Sequence, residues 1–497
     1  IYYSDGRSKR IRTVSRVPSI DLALDAMVEG GQTLIFANTR RRAVKLAEVA
    51  SKFAEEVYSF HRNNKVSSYV EKMWESSQAR TLNMKLIDLI EKGVAFHHAG
   101  LNYVQRKIIE EAFRNNVLKI LVATPTLAAG VNLPARRVVI DSYKRYEYGL
   151  GSIPVKVMEY KQFAGRAGRP GYDEIGEAII IVRTEREKRL VEKIYINSDP
   201  ESIVSKLGRI SALRSIILSL IASGGVRVVS EILGFIEKTL YYCQHGFTGV
   251  KNKVHDVIKF LKSNDMISGD TELEATLLGK RVSETYVDPL SAIIMINGLK
   301  KARPLTDELP YLHLLCSTPD MIKLNVRRKE YRGLEEFLDN VYYDLLVDPY
   351  ELYDDIGTIY STIKTALILY DWINEKSEDE IVETYDVGPG DLYSIIETAE
   401  WLLYSMIELA KVVGVPLSIL KKLILVKERV KKGVRAELLP LTRLKGIGRV
   451  RARILYNHGY RCLDDLAKAS IEELKRIPGI GIEMAKKIKS QVSTLTP

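Results

Sequence analysis

The decapeptide Gln162-Phe163-Ala164-Gly165-Arg166-Ala167-Gly168-Arg169-Pro170-Gly171 places two arginines three positions apart behind a glutamine. A planar guanidinium is a rigid fork of donors matched to phosphate oxygens, and two forks one turn apart can clamp a polyphosphate as its charge shifts. The glycines between them let backbone approach a ligand closely. The same ten residues also suit an exposed basic turn, so the elements around them have to decide.

Those elements alternate. Residues 33–37 form a short apolar run that leads through Asn38-Thr39-Arg40 into a helical stretch ending near Glu56. Residues 94–97, 120–123, 138–140 and 178–182 repeat the apolar theme, with amphipathic segments such as 104–113 between them. Buried strands linked by helices predict a parallel sheet with ligands at the carboxyl ends of its strands. Polar residues fall at those ends. The stretch from Thr124 to Asn132 follows one strand and opens a helix, which offers backbone N–H groups and hydroxyls to an anion. His97-His98-Ala99-Gly100-Leu101 follows another. Adjacent histidines on extended backbone point apart and no carboxylate or cysteine cluster accompanies them, so no metal site is expected.

A length of 497 residues predicts three or four domains. There is no run of about 18 apolar residues to span a bilayer and no signal-peptide pattern, so a cytoplasmic protein without membrane partners is expected. Cys243, Cys316 and Cys462 are widely separated, which argues against a disulfide framework. The net charge of +11 is uneven: residues 1–285 and 414–497 are basic, whereas 286–413 are acidic. Basic ends suit nucleic acid, whose phosphates provide sequence-independent affinity. The sequence begins at Ile1 rather than Met and is expected to be a piece of a longer polypeptide.

Residues 33–42, 97–101, 123–132 and 162–169 resemble, in order and spacing, the second RecA-like domain of superfamily-two helicases. Within that group the whole chain resembles the archaeal Hjm-type fork DNA helicases, relatives of the animal HELQ helicase and, more distantly, of the Ski-like RNA-remodelling enzymes. The resemblance implies that Arg166 and Arg169 are arginine fingers for the γ-phosphate of ATP, with Gln162 coupling that site to nucleic acid. Thr39, Arg40, His98 and Thr124 match positions that hold the phosphates of the translocating strand, and Gly130 and Asn132 would line the cleft between two RecA-like domains. One departure stands out. No Gly-x-x-x-x-Gly-Lys-Ser/Thr loop occurs, and Asp307-Glu308 follows Arg303-Pro304-Leu305 rather than a buried strand. ATP and Mg²⁺ are therefore expected to be bound mainly by a first RecA-like domain lying upstream or in another polypeptide, and this chain alone is not expected to hydrolyse ATP.

Tyr143, Lys144, Arg145, Tyr146 and Tyr148 alternate aromatic with basic character around glycines and suit a β-hairpin. Related helicases part the duplex with a hairpin at this place, which implies rings stacked on the terminal base pair; a hairpin packed on its own sheet is the structural alternative. Three helices are expected over 211–222, 229–241 and 250–263. Short strands at 266–267 and 275–278 follow, a winged-helix pattern. The acidic region reads as a helical bundle. Its helix starting at Pro389-Gly390-Asp391 carries an apolar stripe from Leu392 through Ile395, Ala399, Leu403 and Met406 to Val413, with Trp401 on the opposite, polar face. A tryptophan there suits base stacking, and related helicases carry one on a ratchet helix beneath the single strand; a bundle helix buried on two sides is the structural alternative. Finally, residues 444–452 and 477–485 repeat a helix-hairpin-helix pattern whose turns, Gly446-x-Gly448 and Gly479-x-Gly481, offer amides to a DNA phosphate. Arg449, Arg451, Arg453, Lys486 and Lys487 add charge beside them.

The expected architecture is multidomain: an α/β RecA-like parallel sheet over 1–200, a winged helix over 201–285, an α-helical ratchet bundle over 286–413 and a helix-hairpin-helix domain over 414–497. The expected function is the C-terminal part of an ATP-dependent 3′-to-5′ DNA helicase acting on forks or branched recombination intermediates, with single-stranded and forked DNA and replication or recombination proteins as partners. The alternatives are a non-catalytic nucleic-acid-binding scaffold and an RNA-remodelling helicase.

Overall fold

The computed structural model describes residues 1–59, 65–76, 80–147, 151–169, 171, 173–303 and 307–495. They divide into two compact units, one of residues 1–203 with 386–391, the other of residues 204–385 with 392–497.

The first unit is built on a five-stranded sheet. Its strands are β1 (Thr33–Phe36), β2 (Val94–His97), β3 (Ile120–Ala123), β4 (Arg137–Ile140) and β7 (Glu177–Ile180), and a separate hairpin is made of β5 (Lys144–Glu147) and β6 (Gly151–Pro154). The sheet order is β2-β3-β1-β4-β7, all parallel, with Thr33 opposite Ile120 and Arg137. Strands β1 to β4 are buried at every position, as the apolar runs require when helices cover both faces. Arg137 is the charged exception, fully buried and held by Asp25 and Glu177. Because the sheet is parallel, the residues that follow β1, β2, β3 and β4 gather along one edge.

The segment 386–391 packs on the loop after β2 by backbone approach. Gly390 N–H donates to the Gly100 carbonyl at 2.9 Å. A Cβ at Gly390 would lie 2.3 Å from the carbonyl oxygens of both Ala99 and Leu101, and one at Gly388 would lie 2.4 Å from that of Gly100. Rigid backbone cannot yield as a flexible side chain does. Gly390→Ala is therefore expected to lift this segment off the loop, so that amide exchange at residues 98–101 rises on the order of tenfold or more, the scale of an overpacked contact. Unchanged exchange would show that the close approach contributes nothing.

The second unit starts with helices Ile210–Ala222, Val229–Glu237 and Leu240–Ser263, the last broken at Gly246 (φ 68°). Two-residue strands Ile267–Ser268 and Glu274–Ala275 pair antiparallel. The composition of residues 275–278 predicts that the second strand runs on to residue 278, but the structure starts a helix, Leu277–Thr285, within that stretch. The reason is local: the Thr276 side chain accepts from Gly279 N–H and caps the helix, and Gly279 lets the turn lie directly on the Met266 carbonyl. The fold is nonetheless a helix-turn-helix domain of winged type. Helices Pro289–Lys301, Glu308–Cys316, Tyr331–Val341, Ile356–Ile373 and Glu378–Tyr385 follow. The unit continues with most of Pro389–Val413 and with Leu417–Lys432. Buried Arg214 and Asp288 form a two-pronged pair at 3.0 and 2.9 Å, and Asp288 also caps the Pro289–Lys301 helix.

The tandem hairpins at the end have their own core of Leu444, Leu455, Leu466, Leu474, Ile480 and Ile488 among others. Gly446 and Gly479 both take positive φ, 87° and 79°, as their turns require. Among the described residues no helix is long and apolar enough to cross a membrane.

Candidate functional site

The 162–169 stretch spans the end of helix Val157–Ala164 and the turn beyond it. Ala167 bridges to Ala135, just before β4, and Gly168 N–H donates to the Ala135 carbonyl, which ties the turn to the sheet. Gln162 is exposed. The Arg166 guanidinium donates to Asn132 Oδ1 at 2.9 Å and to the Ala128 carbonyl. Arg166 thus lies against the segment that follows β3, in contact with Asn132 and near Gly130, which ends the short helix Thr126–Gly130. Both of its acceptors are neutral. Arg169 is held differently: Nε and Nη2 donate to the two Asp173 oxygens at 2.7 and 2.8 Å, and Nη1 donates to Gln32 Oε1 at 2.8 Å. The hydrogen bond from Arg169 holds the Asp173 carboxyl below its ordinary range. The two arginines are chemically unequal, one free to exchange neutral acceptors for a phosphate, the other already neutralised by a carboxylate.

Along the same edge, Thr39 is exposed and its hydroxyl accepts from Arg42 N–H, capping the helix Arg40–Ser59. Arg40 forms a two-pronged pair with Asp391. Thr124 is buried, its hydroxyl 3.0 Å from that of Thr126. His98 is buried too, stacked on Phe96 at 5.3 Å, and its Nδ1 accepts from Gly100 N–H. Burial, followed by the Arg40 charge, pushes the His98 pKa down to about 4. The imidazole is therefore neutral at physiological pH and shapes the loop rather than offering a charge to phosphate.

The hairpin is present, with Lys144 opposite Pro154 and Tyr146 opposite Ser152, and Tyr148 lies outside the described residues. Tyr143 departs from the expectation of a strand-separating ring. It is 4% exposed, its hydroxyl donates to Glu187 at 3.1 Å, and its ring meets Tyr195 edge-on at 6.3 Å. A ring packed there cannot meet a base pair, so Tyr143 anchors the hairpin to the unit. Lys144 lies 3.5 Å from Glu187, and Arg145 pairs with Glu159 at 2.9 Å.

In the second unit Trp401 is half-buried, and its indole N–H donates to the Thr285 carbonyl at 3.0 Å. Its helix is more apolar than one stripe: Leu402, Ile407 and Leu409 are buried in addition to the residues expected. In the tandem hairpins the first arginine group is largely spoken for. Arg449 is buried, lies 4.1 Å over the Trp372 ring and donates to the Lys376 carbonyl at 2.5 Å. Arg453 makes two bonds of 2.7 Å to Glu375 and pairs with Glu437. Arg451 donates to the carbonyls of Gly446 and Gly479, joining one hairpin turn to the other. Arg449 and Arg453 thus lock the hairpins to the helical region in this structure, a correction to their reading as phosphate contacts. Gly448 and Gly481 begin the two hairpin helices, Lys486 is exposed beside Glu483, and Lys487 is exposed.

Asp173, Asp391, Glu375 and Glu187 are the residues that sequence reasoning missed. Each neutralises a cation singled out from the sequence. Asp173 sits only four positions after Arg169, but Pro170 and Gly171 in the intervening sequence argue against a helix there, so helical spacing gave no cue to the pair.

Four family models match the chain. They describe a helicase conserved C-terminal domain (residues 52–171), a helix-turn-helix domain (176–268), domain 4 of an archaeal helicase (309–433) and a SAM-like helix-hairpin-helix tandem (438–493). The chain is similar to curated proteins named ATP-dependent DNA helicase Hel308. With that of Methanocella arvoryzae it is 40% identical over 95% of its own length and 64% of the relative's. The corresponding values are 38%, 98% and 67% for Pyrococcus horikoshii, and 36%, 99% and 68% for Pyrobaculum calidifontis. The chain therefore spans about two thirds of the length of these relatives.

Proposed function

Because this chain belongs to the Hel308 family of ATP-dependent DNA helicases, we propose that it is the strand-gripping, C-terminal part of a 3′-to-5′ motor for forked or branched DNA. It would be completed by a nucleotide-binding RecA-like domain that this sequence does not contain. The observation that carries the reading is Arg166, placed against Asn132 and Ala128 with only neutral acceptors on its guanidinium. That arrangement fits one side of a triphosphate, since it supplies donors and no metal-binding carboxylate. Asp173 occupies Arg169, which makes Arg169 a strut of the turn as well as a second donor. ATP and Mg²⁺ would be held mainly by the completing domain, and this chain's part would be to present Arg166 and Arg169 to the γ-phosphate as bound nucleotide draws the two domains together.

In this reading residues 1–200 form the second RecA-like domain, 201–285 the winged helix, 286–413 the ratchet bundle and 414–497 the terminal DNA-binding module. Exposed Thr39 holds backbone phosphate, buried Thr124 acts there through the exposed Thr126 hydroxyl that it bonds, Trp401 stacks against bases and resists back-slippage, and the amides at Gly446 to Gly448 and Gly479 to Gly481 meet the emerging strand with Lys486 and Lys487. Replication or recombination proteins would be its partners in the cell.

The test is DNA-stimulated ATP turnover and fork unwinding by this chain, alone and joined to the upstream domain of the same gene. We expect neither activity from the chain alone and both from the joined protein. Turnover by the chain alone would overturn the division of labour.

A further inference from the structure

The helix Pro389–Val413 carries more than one ring on the face of Trp401. Glu397, Glu400, Trp401 and Tyr404 follow each other at helical spacing and, with Lys427 from the helix Leu417–Lys432, line an open recess of about 320 Å³. That volume is at the small end of ligand pockets, roughly 300–1,000 Å³. Its walls are of three kinds. Trp401 is fixed in orientation by its N–H bond to the Thr285 carbonyl, so its free surface is preset rather than mobile. Tyr404 is 48% exposed, high for a ring that packing alone would bury. Of the two carboxylates, Glu400 is engaged by Lys431 at 2.7 Å, whereas Glu397 is exposed and makes no ion pair or side-chain hydrogen bond among the described residues.

We propose that this recess takes a nucleobase of the bound single strand and prefers bases bearing an exocyclic amino group to thymine. The inference rests on the reading that the strand passes Trp401. Tyr404 provides a second aromatic surface one turn from the tryptophan, and stacking on it is indifferent to base identity because every base has a π-face. Discrimination comes from Glu397. An ionised carboxylate only accepts hydrogen bonds. It accepts from the cytosine N4 amine, as acidic side chains do in base readout, and from the corresponding amines of adenine and guanine. Thymine offers a single imide N–H flanked by two carbonyls that repel the carboxylate. Phosphate is disfavoured, because the recess holds two carboxylates against one ammonium, and that ammonium lies 3.7 Å from the Glu428 carboxylate. Acidic surroundings that would weaken a backbone contact here favour a contact through bases.

The experiment measures equilibrium binding of 15-nucleotide oligo-dC and oligo-dT to the full chain by fluorescence anisotropy at one salt concentration. Both are single-ring bases that differ at the edge that Glu397 would read, and oligo-dU, which lacks the thymine methyl, is measured beside them as the control for size. The wild type is expected to prefer oligo-dC by on the order of fivefold. Glu397→Gln should abolish that ratio, because its neutral amide no longer repels the thymine carbonyls and can donate to them. Tyr404→Ala should weaken both on the order of tenfold, and Tyr404→Phe should keep both. Equal wild-type affinities, or a preference that survives in both Glu397→Gln and Glu397→Ala, would overturn the inference. Trp401→Ala separates it from the reading beneath: weakened binding of both oligonucleotides with no effect from Glu397 removes the inference alone, whereas unchanged binding in Trp401→Ala removes the strand from this helix altogether.

Discussion

Arg166→Ala is expected to lower DNA-stimulated ATP turnover of the completed helicase by about 10³-fold or more, the range in which arginine fingers act. Single-strand affinity and melting temperature should stay near those of the parent. The expectation follows from the partners of Arg166. Its two acceptors are an amide oxygen and a main-chain carbonyl, and each costs little to exchange for a phosphate oxygen whose charge is growing. A contact made chiefly in the transition state shows as a fall in kcat with KM nearly constant. Lysine should not rescue, because a point charge cannot reproduce a planar fork held at two atoms. Arg169→Ala should behave differently. Its loss strands the Asp173 carboxylate, 6% exposed at the side chain, and frees Gln32 Oε1, so reduced thermal stability should accompany reduced turnover. Steady-state kinetics beside thermal denaturation of the two variants separates the roles. An Arg166→Ala protein within tenfold of parental turnover, beside a stable but inactive Arg169→Ala protein, would reverse the assignment.

The contrast between those arginines also shows what the sequence made legible. Four of the five parallel strands could be read from apolar runs within about a residue of their observed ends, since β1, β2, β3 and β4 are buried on both faces and alternate with helices. Motif residues at strand ends could be placed because a parallel sheet collects them along one edge. What could not be read was which cations already have counter-charges. Arg40 meets Asp391 across 351 positions, and Arg453 meets Glu375 across 78. No local periodicity reports such pairs. The same blindness applied to Tyr143, whose alternation with basic neighbours suggested an exposed ring although Glu187 and Tyr195 bury it. The mistaken strand over 275–278 has a third cause: the Thr276 cap outweighs the β-like composition of two leucines that follow it.

Arg137 gives the largest expected effect on stability. It stands in β4 at the centre of a charged cluster that the sequence disguised within a strand, and it is fully buried. Its Nε donates to Glu177 at 2.7 Å, and Nη1 donates to the Leu22 carbonyl at 2.7 Å and to Asp25 at 2.8 Å. Asp25 also takes Lys9, and Glu177 also takes the Tyr3 hydroxyl. Removing the cation alone leaves two carboxylates with half their partners gone. Arg137→Met is therefore expected to destabilise the first unit by about 3–5 kcal/mol in denaturant titration, since breaking a buried pair costs more than the pair itself contributes. The pH dependence carries the sign of the cause. Burial alone would raise both carboxyl pKa values, but hydrogen bonds from Lys9 and Arg137 to Asp25, and from Tyr3 and Arg137 to Glu177, bring them below the ordinary range. A carboxylate with a folded pKa below its unfolded one contributes stability above the unfolded value, about 4, and loses it as pH falls through the folded value. The gap between parent and Arg137→Met should thus be widest near pH 7 and narrow steadily on acidification below about pH 4. A gap that stays constant with pH would mean that Arg137 acts through packing of its side chain and not through the two carboxylates.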